Sequence, residues 1–293
     1  MRILVTGSKG QVGHCLTDVL QDKEGVALIA VDRNELDITN RDAVLDTVRA
    51  FKPTIIINAA AYTAVDRAES EVELSYAINR DGPSYLAEAA KEVGAALLHI
   101  STDYVFDGNK SGEYVESDIP NPQGVYGESK LAGEIEVSKV CDKHIILRTA
   151  WVFGEAGNNF VKTMIRLGQE RSELSVVGDQ FGGPTYAGDI AETLITIAEK
   201  ITIGEIVEYG VYHYSGLPHV SWFQFADAIL DVATEKGMLA KKPTISSITT
   251  EEYPTPAKRP SNSKMSVAKL TKAFGIQASD WNSCINNIKD YID

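Results

Sequence analysis

The stretch RILVTGSKGQVG, residues 2–13, decides how the rest of the chain is read. RILVT is a largely apolar run that suits a buried strand, and Gly7, Gly10 and Gly13 follow at a spacing of three. The apolar period then changes, placing Val12, Leu16, Val19 and Leu20 on one face of a helix. A strand, a glycine turn and a helix in that order open a β-α-β unit. Glycine lets the backbone turn tightly and approach a phosphate, and the helix N-terminus offers free N–H groups and a positive dipole end. The spacing departs from the common G-x-G-x-x-G fingerprint but meets the same physical needs, so Gly7, Gly10 and Gly13 are candidate contacts for a dinucleotide.

Working outward, short apolar runs alternate with helical periods. VALIAV (26–31), TIIIN (54–58), ALLHIS (96–101) and HIILRTA (144–150) read as further strands. RDAVLDTVRAF (41–51) reads as a helix stopped before Lys52-Pro53. A longer helical stretch over 71–93 is notched by Gly82-Pro83 and closed by Gly94, and another helix carries Tyr126. The strands are apolar throughout rather than alternating, as in a parallel sheet covered on both faces. The expected fold is therefore a doubly wound α/β (Rossmann) domain over residues 1–152.

After residue 152 the rhythm loosens. Helices are expected at 158–170, 188–200, 221–236 and 279–292, and strands at 174–177, 211–215 and 245–249. We read 153–293 as a smaller C-terminal α/β substrate-binding cap, with segments around 185–215 as candidates for return to the first sheet. EEYPTPAKRPSNS (251–263) reads as an ordered loop. Trp281, Ile285, Ile288 and Ile292 form one stripe, explained by core packing.

The 293 residues are 44% hydrophobic, which suits a globular protein that buries a large core. A net charge of −13 repels phosphate backbones and anionic lipid, so nucleic acid and membrane surfaces are not expected as partners. Cys15, Cys141 and Cys284 are too scattered for a disulfide framework or a zinc pattern. The MRILVTG start has no signal-peptide character and no apolar run is long enough for a bilayer; the expectation is a cytoplasmic protein.

Asp32 ends the second strand, where a carboxylate accepts hydrogen bonds from the adenosine ribose of NAD(H). Arg33 beside it would instead pair with the 2′-phosphate of NADP(H), so both cofactors stay open. Asp37 and Ile38 are placed to flank an adenine, although Asp37 also reads as a helix cap. NAAAYTAVD (58–66) follows the third strand and supplies small residues where a nicotinamide ribose would lie close to the backbone. Tyr126 and Lys130 stand at i and i+4, one helix face. A nearby ammonium lowers a phenol's pKa toward the working pH, and such a tyrosine can give or take a proton as a hydride moves. Ser101-Thr102-Asp103 ends the fourth strand, at the sheet edge where ligands bind, and puts the Thr102 hydroxyl within reach of a substrate oxygen. Each residue also has a plain reading: YxxxK is a short motif, and a strand-end threonine often satisfies only local backbone.

TGSKGQVG, NAAAYTAVDRAES, STDYVFDG, VYGESKLAGE, RTAWVFG, NNFVKTM, DQFGGPT and YPTPAKRPSNS together resemble the extended short-chain dehydrogenase/reductase family, in its nucleotide-sugar reductase branch, along the whole chain. The resemblance implies hydride transfer from NADPH or NADH to the C4 carbonyl of a dTDP-linked 4-keto sugar, giving dTDP-L-rhamnose. It implies Tyr126 as proton donor, Lys130 as its pKa modulator and ribose ligand, and Thr102 at the carbonyl. It adds Gln11 and Val12 to the cofactor contacts, alongside Gly10, Asp32, Asp37, Ile38, Ala61, Tyr62 and Thr63. It places Val65, Asp103, Tyr104 and Trp151 around the sugar, with Asn158, Asn159, Gln180, Thr185, Arg259 and Asn262 toward the diphosphate. Some relatives bind Mg²⁺ at a dimer interface through a glutamate where this chain has Cys15, a poor ligand for that ion, so no metal is expected and the protein is read as a monomer or homodimer. A dehydratase of the same fold would need an Asp-Glu pair after the threonine, and Asp103-Tyr104 stands there instead. An epimerase needs the same Tyr and Lys, and a non-catalytic cofactor-binding regulatory subunit is the reading from a different class.

Overall fold

The computed structural model describes residues 1–291. Five strands occur at the sequence-expected places: β1 (Arg2–Thr6), β2 (Ala27–Val31), β3 (Ile55–Asn58), β4 (Ala96–Thr102) and β5 (His144–Thr149). Later strands are β6 (Val152–Phe153), β7 (Glu173–Val177), β8 (Phe181–Gly182), β9 (Thr185–Tyr186), β10 (Gly210–His213), β11 (Val220–Ser221) and β12 (Thr244–Ile248). The main sheet runs β10-β5-β4-β3-β1-β2, all parallel. Strand order reverses between β1 and β3, and a crevice opens beyond the carboxyl ends of strands at such a point.

The helices are α1 (Gln11–Gln21), α2 (Arg41–Phe51), α3 (Val65–Ala68), α4 (Val72–Tyr76), α5 (Gly82–Val93), α6 (Val125–Val140), α7 (Phe160–Glu170), α8 (Ala187–Thr202), α9 (Trp222–Glu235), α10 (Ala268–Phe274) and α11 (Trp281–Ile285). The notch expected at Gly82-Pro83 lies one turn earlier, as a π-helical turn over Ala77–Asp81 joining α4 to α5. Proline is tolerated at the helix start, and a Cβ on Gly82 would stand 2.6 Å from Ile38 Cδ1, so glycine lets α5 close on that side chain.

Two cores cover the two sheet faces. Ile3, Val5, Leu16, Ile57 and Leu98 pack with Leu194, Tyr212 and Leu270 on one face; Leu4, Val44, Ile56, Leu86 and Val137 fill the other. Tyr212 and Leu194 come from beyond residue 152: α8 packs on α1, and β10 extends the sheet beside β5. A third core, with Phe153, Ile165, Phe225, Ile229 and Trp281, belongs to the smaller layer of α7, α9, α11, β7 and β12. The helix expected over 279–292 is broken: α11 ends at Ile285 and a 3₁₀ turn follows over Ile288–Tyr291. Trp281, Ile285 and Ile288 are buried as a packing stripe requires, and Ile292 lies outside the described residues. Among the described residues, no helix is long and apolar enough to cross a membrane.

Candidate active site

Two cavities meet beyond the carboxyl ends of the strands. One of about 550 Å³ is lined by the glycine turn, the end of β2 and residues 59–64. The other, of about 420 Å³, shares Gly10, Ala59, Ala61 and Thr63 with it and reaches Thr102, Tyr126, Lys130 and Trp151. The cleft thus runs from the Asp32 corner to the YxxxK helix.

The turn has the shape a pyrophosphate needs. Gly7 has φ +74°, and a Cβ there would lie 2.6 Å from Ala60 N; a Cβ on Gly13 would lie 2.0 Å from Gly7 O. Both glycines seat α1 against the sheet. Gly10 caps α1 with no side-chain hydrogen bond, leaving first-turn N–H groups of Gln11 and Val12 without a side-chain acceptor. These donors and the positive helix end fit an anion. Asp32, Arg33, Asp37, Ile38, Tyr62 and Thr63 line the same cavity. Asp37 accepts hydrogen bonds from Thr39 N and Oγ1, at 3.0 and 2.8 Å, while Asn40 caps α2. The Tyr62 hydroxyl donates to Glu71 Oε2 at 2.7 Å.

Lys9 is a residue that sequence reasoning missed here. Its ammonium pairs with Asp32, and that contact together with the Asn34 N–H holds the carboxyl below the usual range. The signal was available: Lys9 directly precedes the glycine that faces the cleft. The Asp32 carboxylate thus lines the cavity with two cations beside it, Lys9 and Arg33.

Helix α6 carries Tyr126 and Lys130. Its glycine N-cap provides no side-chain cap; Glu69 Oε1, from just after α3, accepts from Val125 N at 3.0 Å instead. Gly127 and Gly133 bring the helix close, since a Cβ on either would stand 2.2 Å from Tyr104 O or 2.0 Å from Asn79 O. The Tyr126 ring meets Tyr104 edge to face, centroids 5.3 Å apart. Burial pushes the Tyr126 phenol up to about 12, opposed by the Thr102 hydroxyl at hydrogen-bonding range. The phenol is thus fully protonated near neutrality, which is the form a proton donor requires. Lys130 Nζ donates to Ile100 O at 2.6 Å, and burial brings the lysine down to about 8.

Thr102 Oγ1 accepts from Tyr104 N at 3.2 Å and donates to Asp103 Oδ1 at 3.0 Å. Asp103 is buried, pushed up to about 6 mainly by desolvation, and its Oδ2 has no hydrogen-bond partner. A buried acceptor without a partner, on a side chain that lines this cavity, suits a hydroxyl donor. Val65, Trp151 and Asn158 line the same cavity. Trp151 has φ +49°, a conformation costing a bulky residue roughly 1–3 kcal/mol, and it stacks on Trp222 at 3.5 Å.

A third cavity of about 380 Å³ adjoins that stack, with Phe160, Arg171, Gln180, Trp222, Tyr253 and Arg259 in its wall. Of the six residues expected toward a diphosphate, Gln180 and Arg259 lie there, and Arg259 also pairs with Asp66 at 2.8 and 3.0 Å. Three are engaged in structure. Asn159 caps α7 and donates to Gln11 Oε1 and Gly154 O at 3.1 and 2.7 Å. Thr185 is fully buried, its hydroxyl bonded to Gly183 O and Gly216 N. Asn262 donates to Lys110 O and Gly112 O at 2.6 and 2.7 Å, fastening the 251–263 loop. The spacing of Phe160 and Trp222 carried no signal for their cavity, because they meet only through the packing of α7 on α9. Among the described residues, no cluster of three His, Cys, Asp or Glu side chains could hold a metal ion.

Over residues 1–292 the sequence matches the protein family described as RmlD substrate binding domain. It is 54% identical to a dTDP-4-dehydrorhamnose reductase of Aggregatibacter actinomycetemcomitans, across 100% of this chain and 99% of that one. It superposes with TM-score 0.91 on the crystal structure of a dTDP-4-dehydrorhamnose reductase from Clostridium acetobutylicum, at 40% identity and 99% coverage of each chain. The dTDP-4-dehydrorhamnose reductase of Bacillus anthracis, solved in complex with NADP, superposes with TM-score 0.89 at 40% identity, covering 98% of this chain and 97% of that one.

Proposed function

The chain belongs to the RmlD substrate binding domain family, and from that premise we propose that it reduces the C4 carbonyl of dTDP-4-dehydro-6-deoxy-L-mannose with NADPH or NADH, yielding dTDP-L-rhamnose. The observation that carries the residue roles is the convergence of Tyr126, Lys130 and Thr102 in the cavity that continues from the glycine turn. When bound, the reduced nicotinamide supplies the hydride. Tyr126 gives its proton to the carbonyl oxygen as charge develops there, and the Thr102 hydroxyl orients that oxygen. Lys130, anchored on Ile100 O, keeps two N–H bonds for the ribose hydroxyls. Asp103 Oδ2 accepts from a sugar hydroxyl. Gln180, Arg259 and the aromatic wall of Trp222 and Phe160 receive the nucleotide end.

At the position where a dehydratase would need glutamate, burial and the Asp103 charge drive the Tyr104 phenol far up, so Tyr104 is protonated near neutrality and does not serve as a base. We place the reaction in the cytoplasm, in line with cysteines too few and too scattered in sequence for a disulfide framework. The test is an enzyme-generated dTDP-4-keto-6-deoxy sugar supplied with NADPH or NADH while nicotinamide absorbance is followed. Cofactor oxidation that stops when the keto sugar is omitted is the expected outcome; no oxidation with either cofactor ends the proposal.

Cofactor choice gives a second test. Asp32→Ala removes the anion that opposes a 2′-phosphate and leaves Lys9 and Arg33 in place. The ratio of kcat/KM for NADPH over NADH should rise by roughly tenfold, the value of one charged contact. An unchanged ratio removes Asp32 from cofactor reading.

A further inference from the structure

Tyr126, Lys130 and Glu134 recur every four residues along α6, so they share one face. The first two line the cofactor cleft, and the third points into the protein behind them. Glu134 is 3% exposed and fully clamped. Arg148, from β5, donates to it in a fork at 2.9 and 2.6 Å. Ser101, from β4, donates its hydroxyl at 2.5 Å. Ser101 follows directly on Ile100, whose carbonyl holds Lys130 Nζ. The clamp therefore ties three elements together at the point where the lysine is seated. A carboxylate this deeply buried is costly unless paired, and one guanidinium already pairs it. Lys130, one turn away and itself 2% exposed, is a second cation beside the same anion.

Resting on the reductase reading above, we propose that Glu134 is a positioning residue that seats the Lys130 side chain, as its ammonium, at the floor of the cofactor cleft. The groups that face Lys130 fit this role. On its own helix these are Tyr126 and Glu134. From β4 it meets His99, a buried imidazole that desolvation and the lysine keep neutral, and the carboxyl of Asp103 follows the strand. From β5 comes Arg148, whose charge Glu134 cancels. The π-turn and α4 present Asn79 and Ser75, both uncharged and both bonded to Ser129. Desolvation lowers Lys130 to about 8 and the Glu134 charge opposes that fall. Glutamine in place of Glu134 would keep the shape but leave Arg148 and Lys130 as two buried cations without an anion. The lysine would then shed its proton at lower pH, and its hold on a ribose would go with it.

The readout is NADPH affinity against pH, by fluorescence titration or calorimetry, with the keto-sugar kcat/KM profile measured alongside. In the parent protein both should decline as pH rises past about 8. In E134Q the decline should begin about one pH unit lower, the size of one neighbouring charge, while affinity near pH 6 stays close to parental. The double substitution E134Q/R148Q removes both charges and leaves no buried orphan, so it reports on the same midpoint if the single variant does not fold. Its midpoint should also move down, by less. Midpoints that coincide with the parent in the folded variant, with affinity lowered evenly at every pH, would reduce Glu134 to a structural brace and overturn the proposal. The binding readout needs no turnover, so a parent that binds NADPH but does not reduce the sugar would fault the reductase reading and leave this one standing.

Discussion

Tyr126→Phe is expected to bind NADPH within twofold of the parent and to lose about 10²–10⁴ of kcat, the range for removing a positioned acid. The substitution deletes one oxygen from a ring held edge-on by Tyr104, and that packing is kept. What disappears is the proton that must reach the carbonyl oxygen as the hydride arrives. Burial holds the phenol up to about 12, so the proton is present across the working range. An interaction made in the transition state lowers kcat and kcat/KM together, with little change in substrate KM. Parental turnover in this variant would dismiss Tyr126 as the acid. A large loss in cofactor affinity would instead show that the phenol is mainly a ribose ligand.

Lys130→Met should damage two quantities at once. Hydrogen bonds from a charged donor contribute about 1.5–3 kcal/mol each, so losing the contacts to ribose should raise the NADPH dissociation constant by roughly 10–100-fold. The rate should fall as well, since the ribose that carries the nicotinamide is no longer held in place for hydride transfer. Folding should suffer little, because methionine matches the buried stem and removes a desolvated charge. A melting temperature near the parent's, beside collapsed binding and rate, is the signature. Parental binding and rate would place Lys130 outside the reaction despite its position in the cleft.

Both assignments show how far reasoning along the chain reached. A strand, glycine turn and helix are local features, each set by spacing over a dozen residues, and β1 to β5 stand where periodicity placed them. Tyr126 and Lys130 share a face because helical geometry alone puts i and i+4 together. Apolar strands without alternation required a sheet covered on both sides, and the two cores on its faces bear that out.

What one segment's spacing could not convey was which distant segment would meet it. Lys9 and Asp32 are neighbours only because β1 and β2 pair in register. The inner bridge from Glu134 to Arg148 and Ser101 needs α6 packed over β4 and β5. Thr185 and Asn262 looked like ligand contacts and turned inward, because a buried hydroxyl or amide takes the nearest backbone partner once the chain closes on it. The surroundings of Tyr126 were decided the same way. Desolvation pushes its phenol up, and that depends on everything packed around the ring and has no signature in the order of residues.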